Sequence, residues 1–155
     1  MEIKIVFDSD SIPEGSQKMA KVLIETLCQV VKADGATFMN LNKEKKELAI
    51  TISCDRDLET AQKKLGISVK VGERVCGKAA ENKEAILVVG DIAKDSRFAR
   101  LKKYEEIYSG MSVPAIKENE VIGVLNVKRT KSSEALTTDD LNIAGIFANK
   151  LAENL

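Results

Sequence analysis

The sequence predicts an α+β fold: a mainly antiparallel sheet with helices from both ends of the chain packed on one face. Three observations support it. Residues 107–127 form two nearly apolar, β-branched runs joined by the polar turn Lys117-Glu118-Asn119-Glu120, as in a hairpin whose sheet is covered on both sides. Apolar residues at helical spacing occupy both ends of the chain. Between them, Leu48, Ile50 and Ile52 alternate with Ala49, Thr51 and Ser53, which gives a strand one strongly apolar face.

Taken in order, residues 2–7 alternate and predict a short strand. Asp8-Ser9-Asp10-Ser11 supplies capping oxygens, and Pro13 suits a first helical turn. Met19, Val22, Leu23, Leu27, Val30 and Val31 make the stripe of the helix that follows, to about Lys32. Gly35 is expected as its left-handed cap. Residues 36–41 and 48–53 predict a hairpin around a polar loop. Leu58, Ala61 and Leu65 predict a short helix before Gly66, and Ile67, Val69 and Val71 a further strand. Residues 72–82 read as helix and 85–89 as a short buried strand. A long, mostly polar connection follows over 91–106, carrying Ile92, Phe98, Leu101 and Tyr104 on its apolar side. In the hairpin, Pro114 has no N–H, so its strand bulges there or leaves that side unpaired. Thr137 and Asp140 make a capping box for a last helix to about Leu155. Leu141, Ala144, Ala148, Leu151 and Leu155 form one stripe on it, and Ile143, Ile146 and Phe147 a second. The second stripe calls for a partner helix, from this chain or another subunit.

Composition removes several function classes. A length of 155 residues suits one domain. The 24 basic and 24 acidic residues cancel and are intermixed, which leaves no long-range field for nucleic acid. No apolar run approaches bilayer length and no signal peptide opens the chain, so a cytoplasmic location is expected, without membrane contact. Histidine is absent, which excludes a serine–histidine triad, a histidine-ligated haem and a histidine phosphorelay. Cys28, Cys54 and Cys76 lack the close pairing of zinc sites, so no metal is expected. Cys28 falls inside an apolar helical stripe, as a core thiol does.

Gly72-Glu73-Arg74-Val75-Cys76-Gly77-Lys78-Ala79 nearly matches the phosphate-binding G-x-x-x-x-G-K-[ST] loop, but Ala79 brings no hydroxyl for Mg²⁺. A glycine-started helix packed on the sheet accounts for it. Read onward through Val88-Val89-Gly90-Asp91, the same segment is similar to the middle of GAF domains. Asp95-Ser96-Arg97-Phe98 resembles the Asp-Pro-Arg-Phe element of that family. Ser112-Val113-Pro114 and residues 121–127 resemble its closing hairpin, and Asp139-Asp140-Leu141 the start of its last helix. The resemblance implies one domain over residues 1–155, with residues 1–12 an N-terminal arm outside the match. It further implies a GAF/PAS-like six-stranded antiparallel sheet, with the N- and C-terminal helices on one face, often joining a dimer, and a ligand pocket on the other.

Family subtypes can be tested residue by residue. Bilin-binding members of the phytochrome type need a Cys-His pair, and this chain has no histidine. The Asn-Lys-…-Phe-x-x-x-Asp-Glu signature of cyclic-nucleotide members is degraded here to Asn126-Val127-Lys128, Ala135 and Asp139-Asp140. Free methionine-(R)-sulfoxide reductases are stand-alone GAF proteins, and Cys76 resembles one of their cysteines. Their nucleophile lies in the long connection, where residues 97–103 hold no cysteine. A second family cysteine would fall near Leu65 and Gly66 and is also missing. Cys76, near a helix start beside Arg74 and Lys78, is expected to have a lowered pKa.

The resemblance and the residues together predict a non-enzymatic sensory domain. It binds a small molecule and relays the signal through terminal dimerisation helices to an output domain attached in a longer protein. A closing helix that ends apolar at Leu155 points to such a continuation. A ligand-free dimerisation scaffold and a sulfoxide-reductase-like enzyme are the alternatives. The expected ligand-binding residues are Cys76, Arg97, Phe98, Tyr108 and Met111, with no catalytic residue. Arg97 alone among them pairs bidentately with an anion, or else it bridges within its own loop. The aromatics either line the pocket or cover the sheet.

Overall fold

A computed structural model describes residues 2–90, 109–130 and 134–155. The alternating runs become strands: β1 (Lys4–Phe7), β2 (Gly35–Asn42), β3 (Glu47–Asp55), β4 (Ser68–Lys70), β5 (Ile86–Val89), β6 (Ser109–Lys117) and β7 (Glu120–Arg129). They form one antiparallel sheet in the order β1-β3-β2-β7-β6-β5. Strand β3 carries β1 along Ile52–Asp55 and β4 along Glu47–Ala49. The arm expected to lie outside the family match therefore contributes an edge strand. The helices are α1 (Glu14–Val30), α2 (Leu58–Lys64), α3 (Arg74–Asn82) and α4 (Thr138–Asn154).

Period-two alternation gives this sheet two separate cores. The single apolar face expected for Leu48, Ile50 and Ile52 is broken by a register shift opposite Phe38 and Met39, which sends Ile52 to one core and Leu48 and Ile50 to the other. On one face Phe38, Ile52, Cys54, Met111, Val113 and Leu125 pack with Ile24 and Leu27 of α1 and Ala144, Ala148 and Leu151 of α4. Helix α4 lies across β6, and α1 packs on α4. On the other face Met39, Leu48, Ile50, Val121 and Val124 form a smaller core with Ala80 of α3. No described helix is long and apolar enough to cross a membrane.

Two local expectations change and a third is met. Asp8 accepts from the Asp10 backbone and the Ser11 hydroxyl, so it closes its own turn instead of capping α1, whose first turn follows Pro13 without a side-chain cap. Lys32 takes the positive φ after α1, while Gly35 already belongs to β2. The strand begins sooner than the helix cap was expected to end. Pro114 meets both conditions proposed for it: β5 stops pairing at Ser112, and the β6–β7 register shifts between Ala115 and Ile116. Past the end of β5, the Ile116 amide donates instead to Asn149 Oδ1 of α4 at 3.2 Å.

Candidate functional site

Four strands bring polar residues into one row on the face that carries α3. Ser53 of β3 lies opposite Thr37 of β2, Thr37 opposite Asn126 of β7, and Asn126 opposite Ser112 of β6. The Ser112 hydroxyl donates to Asn126 Oδ1 at 2.6 Å, and Asn126 Nδ2 donates to Thr37 Oγ1 at 3.1 Å. Ser53 Oγ is fully buried and has no hydrogen-bond partner among the described residues. A buried hydroxyl without a partner is rare in folded proteins and needs an explanation.

The next row is charged. Lys128 and Asp55 both flank Gly35 in register, and Lys128 Nζ reaches across that glycine to Asp55 Oδ2 at 3.0 Å. Both side chains are 12% exposed, so the pair is largely withdrawn from water. On the other side of the polar row, Met39 opposes Val124 in the apolar core beneath α3. The face therefore grades from apolar to hydroxyl and amide to a buried ion pair. That sequence of groups suits a small molecule with one apolar and one polar end.

Helix α3 sits close to the sheet edge because Gly77 has no side chain: a Cβ there would lie 2.5 Å from the Lys70 carbonyl oxygen. The same approach covers Cys76, which packs half-buried against the apolar core of this face. Burial pushes the Cys76 thiol up, and the Gly77 backbone hydrogen bond and Arg74 only partly oppose it. The lowered pKa expected from the helix start is thus reversed, because desolvation of the thiolate outweighs the nearby positive charge.

Met111, expected beside Cys76, is on the opposite face. It alternates out of phase with Ser112 and belongs to the core beneath α1 and α4. Arg97, Phe98 and Tyr108, with the connection over 91–106, lie outside the described residues. The structure therefore leaves Cys76 alone among the described candidates on the α3 face. Thr37, Ser53 and Asp55 were not singled out from the sequence, and Ser112, Asn126 and Lys128 were met only inside family motifs and not as site residues. Their signal was present as polar residues inside otherwise apolar strands, but only cross-strand register shows that they meet. Among the described residues, no group of His, Cys, Asp or Glu side chains could hold a metal ion.

Comparison with solved structures supports the architecture. The fold is similar to a GAF domain/HD domain protein from Geobacter sulfurreducens, with a TM-score of 0.72 and 12% identity, covering 95% of each chain. It is similar to the GAF domain of a phosphoenolpyruvate-protein phosphotransferase from Coxiella burnetii, with a TM-score of 0.69, 20% identity, and coverage of 94% of this chain and 84% of that one. A type II free methionine-R-sulfoxide reductase from Thermoplasma acidophilum also resembles it, with a TM-score of 0.65, 17% identity, and coverage of 90% and 93%. No curated protein sequence matches the chain. At the sequence level the model of the GAF domain matches residues 14–155, from the first residue of α1 through α4 and so every element but β1. The chain belongs to the GAF domain family.

Proposed function

We propose that this chain is a regulatory domain without catalysis of its own. It binds a small molecule on the α3 face and passes the bound state through α1 and α4 to a second copy and to an attached output domain. The observation that carries the reading is the buried polar row Ser53–Thr37–Asn126–Ser112. It ends in a hydroxyl that has no partner among the described residues, beside an apolar floor. Buried hydroxyls and amides on a sheet face are costly to fold around unless something hydrogen-bonds them, and a ligand is one such partner.

The dimer part rests on the outer sides of the terminal helices. Met19, Val22 and Val30 of α1 and Ile146 of α4 are large apolar side chains left exposed, Val22 at 54% and Ile146 at 64%. A sulfoxide reductase is the weaker reading. That chemistry needs a thiolate and a second thiol to resolve the sulfenic acid. Cys76 holds its proton, and Cys28 and Cys54 belong to the core on the other side of the sheet.

Native mass spectrometry of the purified chain tests the sensor reading. A retained small molecule is expected, lost in Asn126→Leu, which keeps the volume but removes both hydrogen bonds. A wild-type chain that carries nothing, and gains no thermal stability from cyclic nucleotides or small carboxylic acids, leaves the scaffold as the better reading. Turnover of free methionine sulfoxide with dithiothreitol, abolished by Cys76→Ser, would overturn the non-enzyme proposal.

A further inference from the structure

A cleft of about 480 Å³ lies where the end of α1 meets the outer edge of the sheet, on the opposite side from α3. That volume is within the range of small-molecule sites. Glu25, Cys28, Gln29 and Lys32 line one wall, at offsets of three, four and seven residues that align them along one side of α1 and its cap. Ile3 and Arg56 stand opposite, next beyond the Lys4–Asp55 pair of the β1–β3 ladder. Ile3 precedes the family match, so GAF elements alone do not make this wall. The charged groups are carried on fixed supports. Asp34, whose side chain is 6% exposed, binds Arg56 Nη2 through Oδ1 and accepts from the Thr130 amide through Oδ2 at 2.7 Å. The Lys32 and Ala33 amides donate back to the Gln29 and Cys28 carbonyls at 3.4 and 2.9 Å, which closes α1 with Lys32 at a φ of 52°. Among the described residues, the Lys32 ammonium, the Gln29 side-chain amide and Arg56 Nε and Nη1 have no partner, and Glu25 has only Lys21 at 3.9 Å.

We propose that this cleft is a second small-molecule site and that its ligand is a zwitterionic dipeptide with apolar side chains. The order of groups along the helical wall selects that class. Glu25 accepts from the N-terminal ammonium at one end. Lys32 and Arg56 take the C-terminal carboxylate at the other, where the planar guanidinium, held from below by Asp34, still has donors to give. Gln29 lies between them and carries both a donor and an acceptor, the complement of a peptide group. Cys28 and Ala33, both buried, and Ile3 across from them supply apolar surface for the side chains. Length separates a dipeptide from a single amino acid. At about 1.5 Å of rise per residue, Glu25 and Lys32 stand about 10 Å apart along α1. An amino acid carries both charges on one carbon and falls short of that span. An extended dipeptide reaches about 7 Å from end to end, and a hydrogen bond of about 2.8 Å at each end covers the remainder. A second negative charge on the ligand would meet Glu25, which disfavours dicarboxylates and phosphates.

L-alanyl-L-leucine, titrated into the ¹⁵N-labelled chain and followed by amide chemical shifts, is the probe. Saturable shifts are expected at residues 25–34 and at Arg56. Its N-acetylated form, its C-terminal amide and free L-leucine are each expected to bind at least tenfold more weakly. Two variants assign the ends. Glu25→Gln is expected to weaken the dipeptide about tenfold and to leave the N-acetylated form unchanged, and Lys32→Met to weaken the dipeptide and leave its C-terminal amide unchanged. Both side chains reach solvent, so neither substitution disturbs the core. The four titrations of the wild-type chain decide the matter even without the variants. Absence of saturable shifts at millimolar dipeptide, or shifts confined to Thr37, Ser53, Ser112 and Asn126 on the α3 face, overturns the proposal. Blocked dipeptides or free leucine that bind as tightly as the dipeptide overturn it as well.

Discussion

Gly35 sits between Lys128 and Asp55 in the register of three strands, and the ion pair passes directly over it. A Cβ at this position would lie 2.7 Å from Lys128 Cε and 2.9 Å from the Cys54 carbonyl oxygen. The lysine stem could bend aside, but the backbone oxygen could not. Gly35→Ala is therefore expected to destabilise the fold by about 1–3 kcal/mol, the range for an overpacked core, as read by urea denaturation. Lys128→Met is expected to cost about 3 kcal/mol, because Asp55 is left largely buried without its cation. Adding Asp55→Asn to Lys128→Met should recover part of that loss. A double variant no more stable than Lys128→Met would mean that the lysine acts through its packing and not its charge.

At the scale of single elements, the helix ends show where local chemistry prevailed. Thr137 Oγ1 accepts from the Asp140 amide at 3.2 Å, and Asp140 Oδ2 accepts from the Thr137 amide at 2.8 Å, closing the box that starts α4. Thr137→Ala is expected to cost about 1 kcal/mol, seen as a lower melting temperature. Asp57 caps α2 in the same way, accepting from Thr60, and hydrogen bonds from the Thr60 hydroxyl and amide lower its pKa. A carboxyl lowered by folding stabilises the fold above its unfolded pKa of about 3.9, and the contribution fades as pH falls through the folded value. Asp57→Ala should therefore be less stable than wild type at neutral pH and converge on it in strong acid. A difference that persists unchanged at the acid end would assign the effect to helix propensity. The two terminal helices are also joined at their near ends. Arg129, buried, donates through Nη2 to the Val31 carbonyl at 2.6 Å and through Nη1 to the Glu134 carbonyl at 2.9 Å. The end of α1 and the approach to α4 thus share one guanidinium.

For the whole molecule, the terminal helices leave an apolar outer surface. The second stripe expected on α4 is largely absorbed by the chain's own core, since Ile143 and Phe147 pack half-buried against it. Ile146 remains outside, together with Met19, Val22 and Val30 of α1. Burying these against a second copy is the economical arrangement for a helix pair, and a two-fold axis would bring like surfaces together. Analytical ultracentrifugation at micromolar concentration is expected to show a dimer. Ile146→Glu with Val22→Glu should weaken it at least tenfold, about 1.4 kcal/mol. A wild-type chain that sediments as a monomer would remove the relay through a partner copy.

The order of elements, their types and most of their limits were legible in the residues alone. Alternation and helical spacing are properties of a single segment, so Leu48-Ala49-Ile50 announces a strand wherever it is placed. The Thr137–Asp140 box and the core position of Cys28 were legible for the same reason. Met111 shows where that reasoning ends. Its phase relative to Ser112 could be read from the strand, but which phase meets α1 and α4, and which meets α3, depends on how the chain crosses the sheet. Only the pairing of β3, β2, β7 and β6 gathered Ser53, Thr37, Asn126 and Ser112 into one row, and only the packing of α1 on the sheet put Cys28 and Cys54 into one core. Each residue carries its own periodicity, whereas a site is a contact between segments far apart in the chain, and the tertiary fold alone decides which of them touch.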